Sequence, residues 1–257
     1  MVKKTLLMLA FVGLVSVAAT AQLLEVEGRY WAPTLTGQVQ VTGGVPVPNG
    51  LGVIDLKDDL GLTDKRLQDW RVSLATGPHS RLRVAYLTMD YHADQQVQRT
   101  VVFDGQTYTV GTRVVTHLAM KYWRYGWIWQ FIHDPFGRVH FGTLVEAKSL
   151  SFDTSLAAPN LSPPVAARKN FSGTLPSLGL ALDIDPIPTI KIFAELSGVS
   201  AGKYGQGWDG EAGVKLSLAP MLSIGAGYRY LDLEAKDDPD FAKLKNAGPF
   251  VGATLRL

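Results

Sequence analysis

The chain has 257 residues, of which 46% are hydrophobic and 19% charged, with 26 Gly, 14 Pro, 9 Tyr, 10 Phe, 6 Trp and no Cys. This composition excludes a disordered chain, because there is enough apolar surface to offset chain entropy, and the absent cysteine excludes a disulfide scaffold or a thiolate metal site. A formal charge of +2 is too small for a basic, nucleic-acid-binding surface.

Met1-Val2-Lys3-Lys4 is a short basic region, followed by an apolar run from Thr5 to Val17 and the small-x-small pattern Ala19-Thr20-Ala21. Residues 1–21 are therefore predicted to be a secretory signal peptide, cleaved before Gln22. The run is shorter than the ~20 residues of a spanning helix. Without Lys3 and Lys4 the mature chain, 22–257, carries 23 basic and 23 acidic residues, so the precursor's positive charge says nothing about partners.

No 18-residue uncharged apolar run follows Gln22, which excludes a transmembrane helix. Apolar and polar residues instead alternate with period two, punctuated by Gly, Pro, Asp and Asn, the pattern of strands and hairpins. Ten strands are predicted, over 23–42, 66–77, 81–103, 107–132, 137–156, 169–184, 188–203, 207–219, 221–235 and 246–257. Eight or twelve are the alternatives, because 107–132 far exceeds the ~9–11 residues that cross a bilayer. It must project beyond the membrane, carry a bulge or hide a turn near Tyr125-Gly126.

The connections alternate in length. Pro-containing turns at 77–80, 133–136, 185–188 and 219–221 are tight, whereas 43–65, 157–168 and 236–245 are longer and more polar, with shorter tips at 104–106 and 204–206. Such sorting marks an outer-membrane barrel with its short turns in the periplasm. Aromatic residues near strand ends (Tyr30, Trp31, Trp70, Tyr86, Tyr91, Trp123 to Trp129, Trp208, Tyr228, Tyr230) suit interfacial girdles.

Strand parity assigns a set of polar side chains to the lumen. They are Glu25, Glu27 and Arg29 on the first strand, Arg71 on the second, Arg83 on the third, and His117 and Lys121 on the fourth. His140, Glu146 and Lys148 follow on the fifth, then Asp183, Lys191 and Glu195, Glu211 and Lys215, Arg229, and finally Arg256. Opposite them lie residues such as Ala212, Val214, Leu216 and Leu218. Mixed signs point to cross-barrel ion pairs that fill the interior; a selective pore would favour a ring of one sign.

The ending Gly248-Pro249-Phe250-Val251-Gly252-Ala253-Thr254-Leu255-Arg256-Leu257 resembles the closing strand of bacterial outer-membrane β-barrel proteins, although the usual terminal aromatic is Leu257 here. Ile54–Leu62 and Phe103–Tyr108 are similar to segments of uncharacterised small barrels. The resemblance implies an all-β, single closed antiparallel up-and-down transmembrane barrel over 22–257, in the bacterial outer membrane. It implies as partners outer-membrane lipid, lipopolysaccharide and the assembly machinery that reads the last strand. Small barrels of this kind serve as tethers, adhesins, narrow pores or lipid-modifying enzymes, so the fold does not choose among them.

Catalytic candidates are sparse. His79-Ser80 are adjacent in sequence and so point to opposite faces of a strand. Asp55, Asp58, Asp59, Asp64, Asp237, Asp238 and Asp240 lack calcium-loop spacing and are read as solvated loop residues. No catalytic, cofactor-binding or metal-binding residue is assigned. The expected role is structural or binding through the extracellular loops, the alternatives being a narrow pore and, less favoured, a lipid-modifying enzyme.

Overall fold

The computed structural model describes residues 24–44, 47, 51–161, 164–200 and 202–257. The expected signal peptide and its cleavage site lie outside the described residues. Fourteen strands are present among the described residues: β1 (Leu24–Trp31), β2 (Thr34–Gln40), β3 (Ile54–Asp55), β4 (Leu67–Gly77), β5 (Ser80–Gln96), β6 (Val101–Phe103) and β7 (Gln106–Tyr108), then β8 (Arg113–His133), β9 (Val139–Ala158), β10 (Val165–Ile187), β11 (Ile190–Ser200), β12 (Gly205–Ala219), β13 (Leu222–Asp237) and β14 (Asp240–Arg256).

Each long strand pairs antiparallel with its neighbour in sequence, and β1 returns to β14 in register from Glu25↔Arg256 to Trp31↔Phe250. The sheet therefore closes. β1 and β2 are one stave interrupted at Ala32-Pro33, where proline has no N–H for the ladder; β2 continues along β14 from Thr34↔Ala247 to Gln40↔Phe241. Counted this way the barrel has ten staves among the described residues, the number read from the sequence. Closure matters physically, because an open edge in lipid leaves unpaired N–H and C=O groups.

The long segment 107–132 resolves in three ways. β5 stops at Gln96 and β8 starts at Arg113, and a separate two-stranded hairpin, β6–β7, turns between them at Asp104-Gly105. β8 is still 21 residues long and projects beyond the membrane, with a register shift at Gln130/Ile132. Residues 125–126 remain in the strand; Tyr125 pairs with Ala147 and Gly126 with Glu146. The expected loop 236–245 is corrected as well. Its residues extend β13 and β14 to Asp237↔Asp240, leaving a two-residue connection. The alternation of Lys236, Lys243 and Lys245 with apolar partners is weak there, which hid the strand from a pattern reading.

The outer face carries an apolar band that includes Val72, Leu82, Val84, Val214, Leu216, Ile224, Val251 and Leu255. On β8 the outward positions form a column, Trp123, Tyr125, Trp127, Trp129 and Phe131. Trp31 and Tyr91, expected in a girdle, are corrected: both face inward and are 1% and 2% exposed. Inside, Gly213 and Gly227 face each other across β12 and β13 and clear the space for two rings. A Cβ on Gly227 would meet Phe250 Cζ at 2.6 Å, and one on Gly213 would meet Phe193 Cζ at 3.0 Å.

Val214 lies mid-band on the lipid face, so Val214→Arg is expected to destabilise the barrel by about 2–4 kcal/mol. Urea unfolding in lipid vesicles, read by the mobility difference between folded and boiled protein in SDS gels, measures this loss. An unchanged midpoint would place β12 outside the bilayer.

Candidate functional site

Inward side chains at successive levels fill the barrel. The buried charged set is close to neutral: Glu27, Asp69, Glu146, Asp183, Glu195, Asp209 and Glu211 stand against Arg29, Arg71, Arg83, Arg124, Lys148 and Arg229, with Lys215 beside Glu27.

Two chains of ion pairs cross the lumen. The first begins at Lys215, whose Nζ lies 3.2 Å from Glu27 Oε2. Arg29 pairs with Glu27 through Nε at 2.9 Å and with Glu211 through Nη1 at 3.1 Å. Arg71 grips Glu211 with both Nη atoms and reaches Asp69 at 3.1 Å. Arg229 then joins Asp69 at 2.8 Å to Asp209, which it holds bidentately at 3.1 and 2.9 Å. Arg124 and the Tyr122 hydroxyl complete the shell of Asp209, at 3.1 and 3.2 Å. The Arg29 guanidinium also lies over Phe250, 4.4 Å from its centroid.

The second chain runs beside the first, with Glu195 cross-strand from Glu211 and Lys191 cross-strand from Lys215. Lys191 and Arg81 approach Asp183 at 3.7 and 3.3 Å, and Arg81 also faces Glu195 at 3.6 Å. Arg83 Nη1 donates to Glu195 at 2.6 Å and Nη2 to Glu146 at 3.4 Å. Ser197 accepts from Lys148 Nζ at 2.8 Å and donates to Glu146 at 2.9 Å. Each charge thus has partners. Removing either partner of such a pair would leave an uncompensated ion in a low-dielectric interior. The space left among Arg29, Arg71, Arg83, Glu195 and Glu211 is about 40 Å³.

Above the ion pairs the interior becomes apolar. Trp31, Leu35, Met89, Tyr91, Leu231 and Leu244 are buried together, Trp31 donating to Gly248 O at 3.1 Å. Ile54, Leu56, Leu60 and Leu62 from the first long loop close over them, with Val101, Phe103 and Tyr108 from the β6–β7 hairpin. Arg99 ties the two caps, donating to Asp59 at 2.8 and 2.6 Å. Asp59 is therefore a buried tether and not a solvated loop residue. Asp55 caps a turn through the N–H groups of Lys57 and Asp58, at 2.8 and 2.9 Å. Asp64 accepts from Leu35 N at 2.8 Å, and Asp240 from Thr42 N at 2.7 Å.

Of the residues assigned to the lumen from sequence, Glu27, Arg29, Arg71, Arg83, Glu146, Lys148, Asp183, Lys191, Glu195, Glu211, Lys215 and Arg229 belong to these two chains. Glu25 and Arg256 pair with each other at 2.8 Å at the periplasmic rim. His140 faces the periplasmic mouth beside Asp185, at 3.8 Å. His117 and Lys121 are corrected: they share the outward parity of Trp123, because on β8 the inward positions are Val114, Thr116, Leu118, Met120, Tyr122 and Arg124. Both strand faces of β8 carry polar and aromatic residues, so its pattern alone gives no direction. Asp69, Arg81, Arg124 and Asp209 were missed. Three of them share parity with residues that were assigned, Asp69 with Arg71, Arg81 with Arg83 and Asp209 with Glu211.

At the extracellular mouth a cleft of about 130 Å³ opens between the walls built by β2, β13 and β14 and by β9 and β10, with Lys169, Lys236 and Lys243 among its lining. It is smaller than the ~300–1,000 Å³ of ordinary ligand pockets.

No protein-family model and no curated protein sequence matches the chain. Among solved structures it is similar to the outer membrane protease OmpT from Escherichia coli, with a TM-score of 0.61 and 7% identity over 95% of this chain and 99% of that one. Weaker likenesses are to Ail, the attachment invasion locus protein of Yersinia pestis (TM-score 0.40, 10% identity, 91% and 99% covered), and to the Pseudomonas putida toluene transporter TodX (0.36, 8%, 93% and 90%). At 7% identity the first likeness establishes the fold, a small outer-membrane β-barrel, and carries no chemistry with it.

Arg229→Met leaves Asp69 and Asp209 short of a buried cation and is expected to cost about 3–5 kcal/mol. Arg168→Met removes an exposed partner of Asp153 and is expected to cost no more than about 1 kcal/mol. Urea midpoints of the two variants in one detergent test the difference, and equal losses would show that the interior pairs are solvated.

Proposed function

We propose that this outer-membrane barrel does not conduct and acts as a structural or binding element through its extracellular surface. The observation that carries this reading is the double filling of the lumen, by crossed ion pairs in one half and by an apolar core under two folded loops in the other. A water path would have to break both. Export through the signal peptide, and assembly through the strand that ends at Leu257, complete the reading. No catalytic role is part of it.

The outer wall supports contact with anionic lipid. Arg66 lies 6.0 Å from the centre of the Tyr30 ring, and Lys121 is the first outward position beyond Trp123 on β8. Cations one step outside an aromatic boundary meet the phosphates of lipid headgroups or lipopolysaccharide.

Planar-bilayer recording tests the proposal. The native barrel is expected to give no steady conductance, and the variant Arg71→Ser with Glu211→Ser, which empties the centre of the first chain, is expected to give small open steps. Steady ion passage through the native protein would overturn the filled-lumen reading in favour of the narrow pore. Changed phospholipid or lipid A profiles in expressing cells would favour the enzyme.

A further inference from the structure

The outward positions of β5 change character along the strand. Leu82, Val84 and Tyr86 are succeeded by Thr88, Asp90, His92 and Asp94. On β8 the same change occurs past Trp123, toward Lys121 and His117. Tyr86 pairs with Trp123 across the two strands, their rings 4.3 Å apart, and marks the upper edge of the apolar band. His92 lies six residues farther along, opposite His117, which is roughly 15 Å higher for a strand tilted as in small barrels.

Three side chains converge there. Asp90 and His92 are two residues apart and so share a face, and cross-strand pairing brings His117 beside His92. The two imidazoles stack with centroids 4.3 Å apart and planes 6° from parallel. Both Nε2 atoms face one carboxylate oxygen: His92 Nε2 is 2.7 Å and His117 Nε2 3.2 Å from Asp90 Oδ1. One donor atom from each of the three residues lies within 4.8 Å of the other two. Among the described residues this is the one group of His, Asp or Glu that meets that condition.

All three side chains are solvent-accessible, His92 and Asp90 more than half so, and none packs into the core. Tetrahedral ligands at ~2.0–2.1 Å from zinc are separated by roughly 3.3 Å. His117 Nε2 is already at that distance from Asp90 Oδ1, at 3.2 Å, and His92 Nε2 is closer, at 2.7 Å; binding an ion requires the stacked rings to turn out of their parallel arrangement so that both Nε2 lone pairs point at it. We propose that Asp90, His92 and His117 form a three-ligand site for a divalent late transition-metal ion on the outer wall of the barrel, with an open coordination position toward solvent. Two imidazoles and one carboxylate select zinc, copper or nickel over calcium and magnesium, which take oxygen ligands. Lys65 Nζ donates to the Asp90 carbonyl and fixes the backbone at that ligand. The neighbouring charges are already paired, Asp94 with Arg113 and Asp153 with Arg168, so they do not compete for the ion.

Calorimetric titration of the detergent-solubilised, folded barrel with Zn²⁺ tests this site. One saturable Zn²⁺ site per barrel is expected, with no matching response to Ca²⁺. His92→Gln and His117→Gln should each weaken binding by more than about tenfold, and the double variant should abolish it while keeping the folded gel mobility. His133→Gln, in the periplasmic turn where His79 and His140 also gather, should bind as the native chain does. Absence of a saturable site in the native barrel, its retention in the double variant, or its loss in His133→Gln would each overturn the proposal.

Discussion

A strand in hydrocarbon must hydrogen-bond on both edges, and the whole molecule depends on that condition. It is met when the first stave returns to the last, from Glu25↔Arg256 to Trp31↔Phe250. Closure at ten staves then fixes a lumen whose volume has to be filled by side chains, by water or by folded loops. Here ion-paired side chains occupy one half of it and folded loops close the other. Glycines at 213 and 227 admit Phe193 and Phe250, and those rings in turn flank Arg29.

Filling a lumen with arginine and carboxylate has a particular energetic consequence. Such pairs contribute modestly to net stability relative to apolar packing, yet breaking one is costly. The charges therefore specify which strand faces which. Arg229 can satisfy Asp69 and Asp209 together only when β4, β12 and β13 are in their native registers. A one-residue slip would turn every inward charge toward lipid.

The division of the lumen into a charged half and an apolar half also assigns roles to the loops. The segment 51–62 and the β6–β7 hairpin carry the hydrophobic residues that close the extracellular half, and Arg99 with Asp59 locks them together. What these loops leave free is the outer wall and the rim, where Arg66, Lys121 and the Asp90–His92–His117 cluster lie.

Much of this was written in the sequence because a half-buried strand repeats with period two. The stave number, the lipid faces of β11, β12 and β13, and the inward parity of Glu27, Arg29, Glu211 and Arg229 follow from alternation with Gly or small residues on the polar side. Parity is a local property and identifies a face only where the two faces differ in polarity. On β8 the difference is weak: Tyr and Arg occupy both, so the side holding His117 and Lys121 was settled by pairing with β5 and β9. The same limit applies to Trp31 and Tyr91, whose rings suit an interface as well as a core. Partner identity lay further out of reach. Arg71 and Glu211 are separated by 140 residues, and Asp90 and His117 by 27, distances that carry no pattern in the chain. Alternation along the chain was enough to specify a closed barrel with charged side chains inside. Which charges meet inside it, and which histidines meet on its outer wall, was decided by strand register, a property of the assembled sheet.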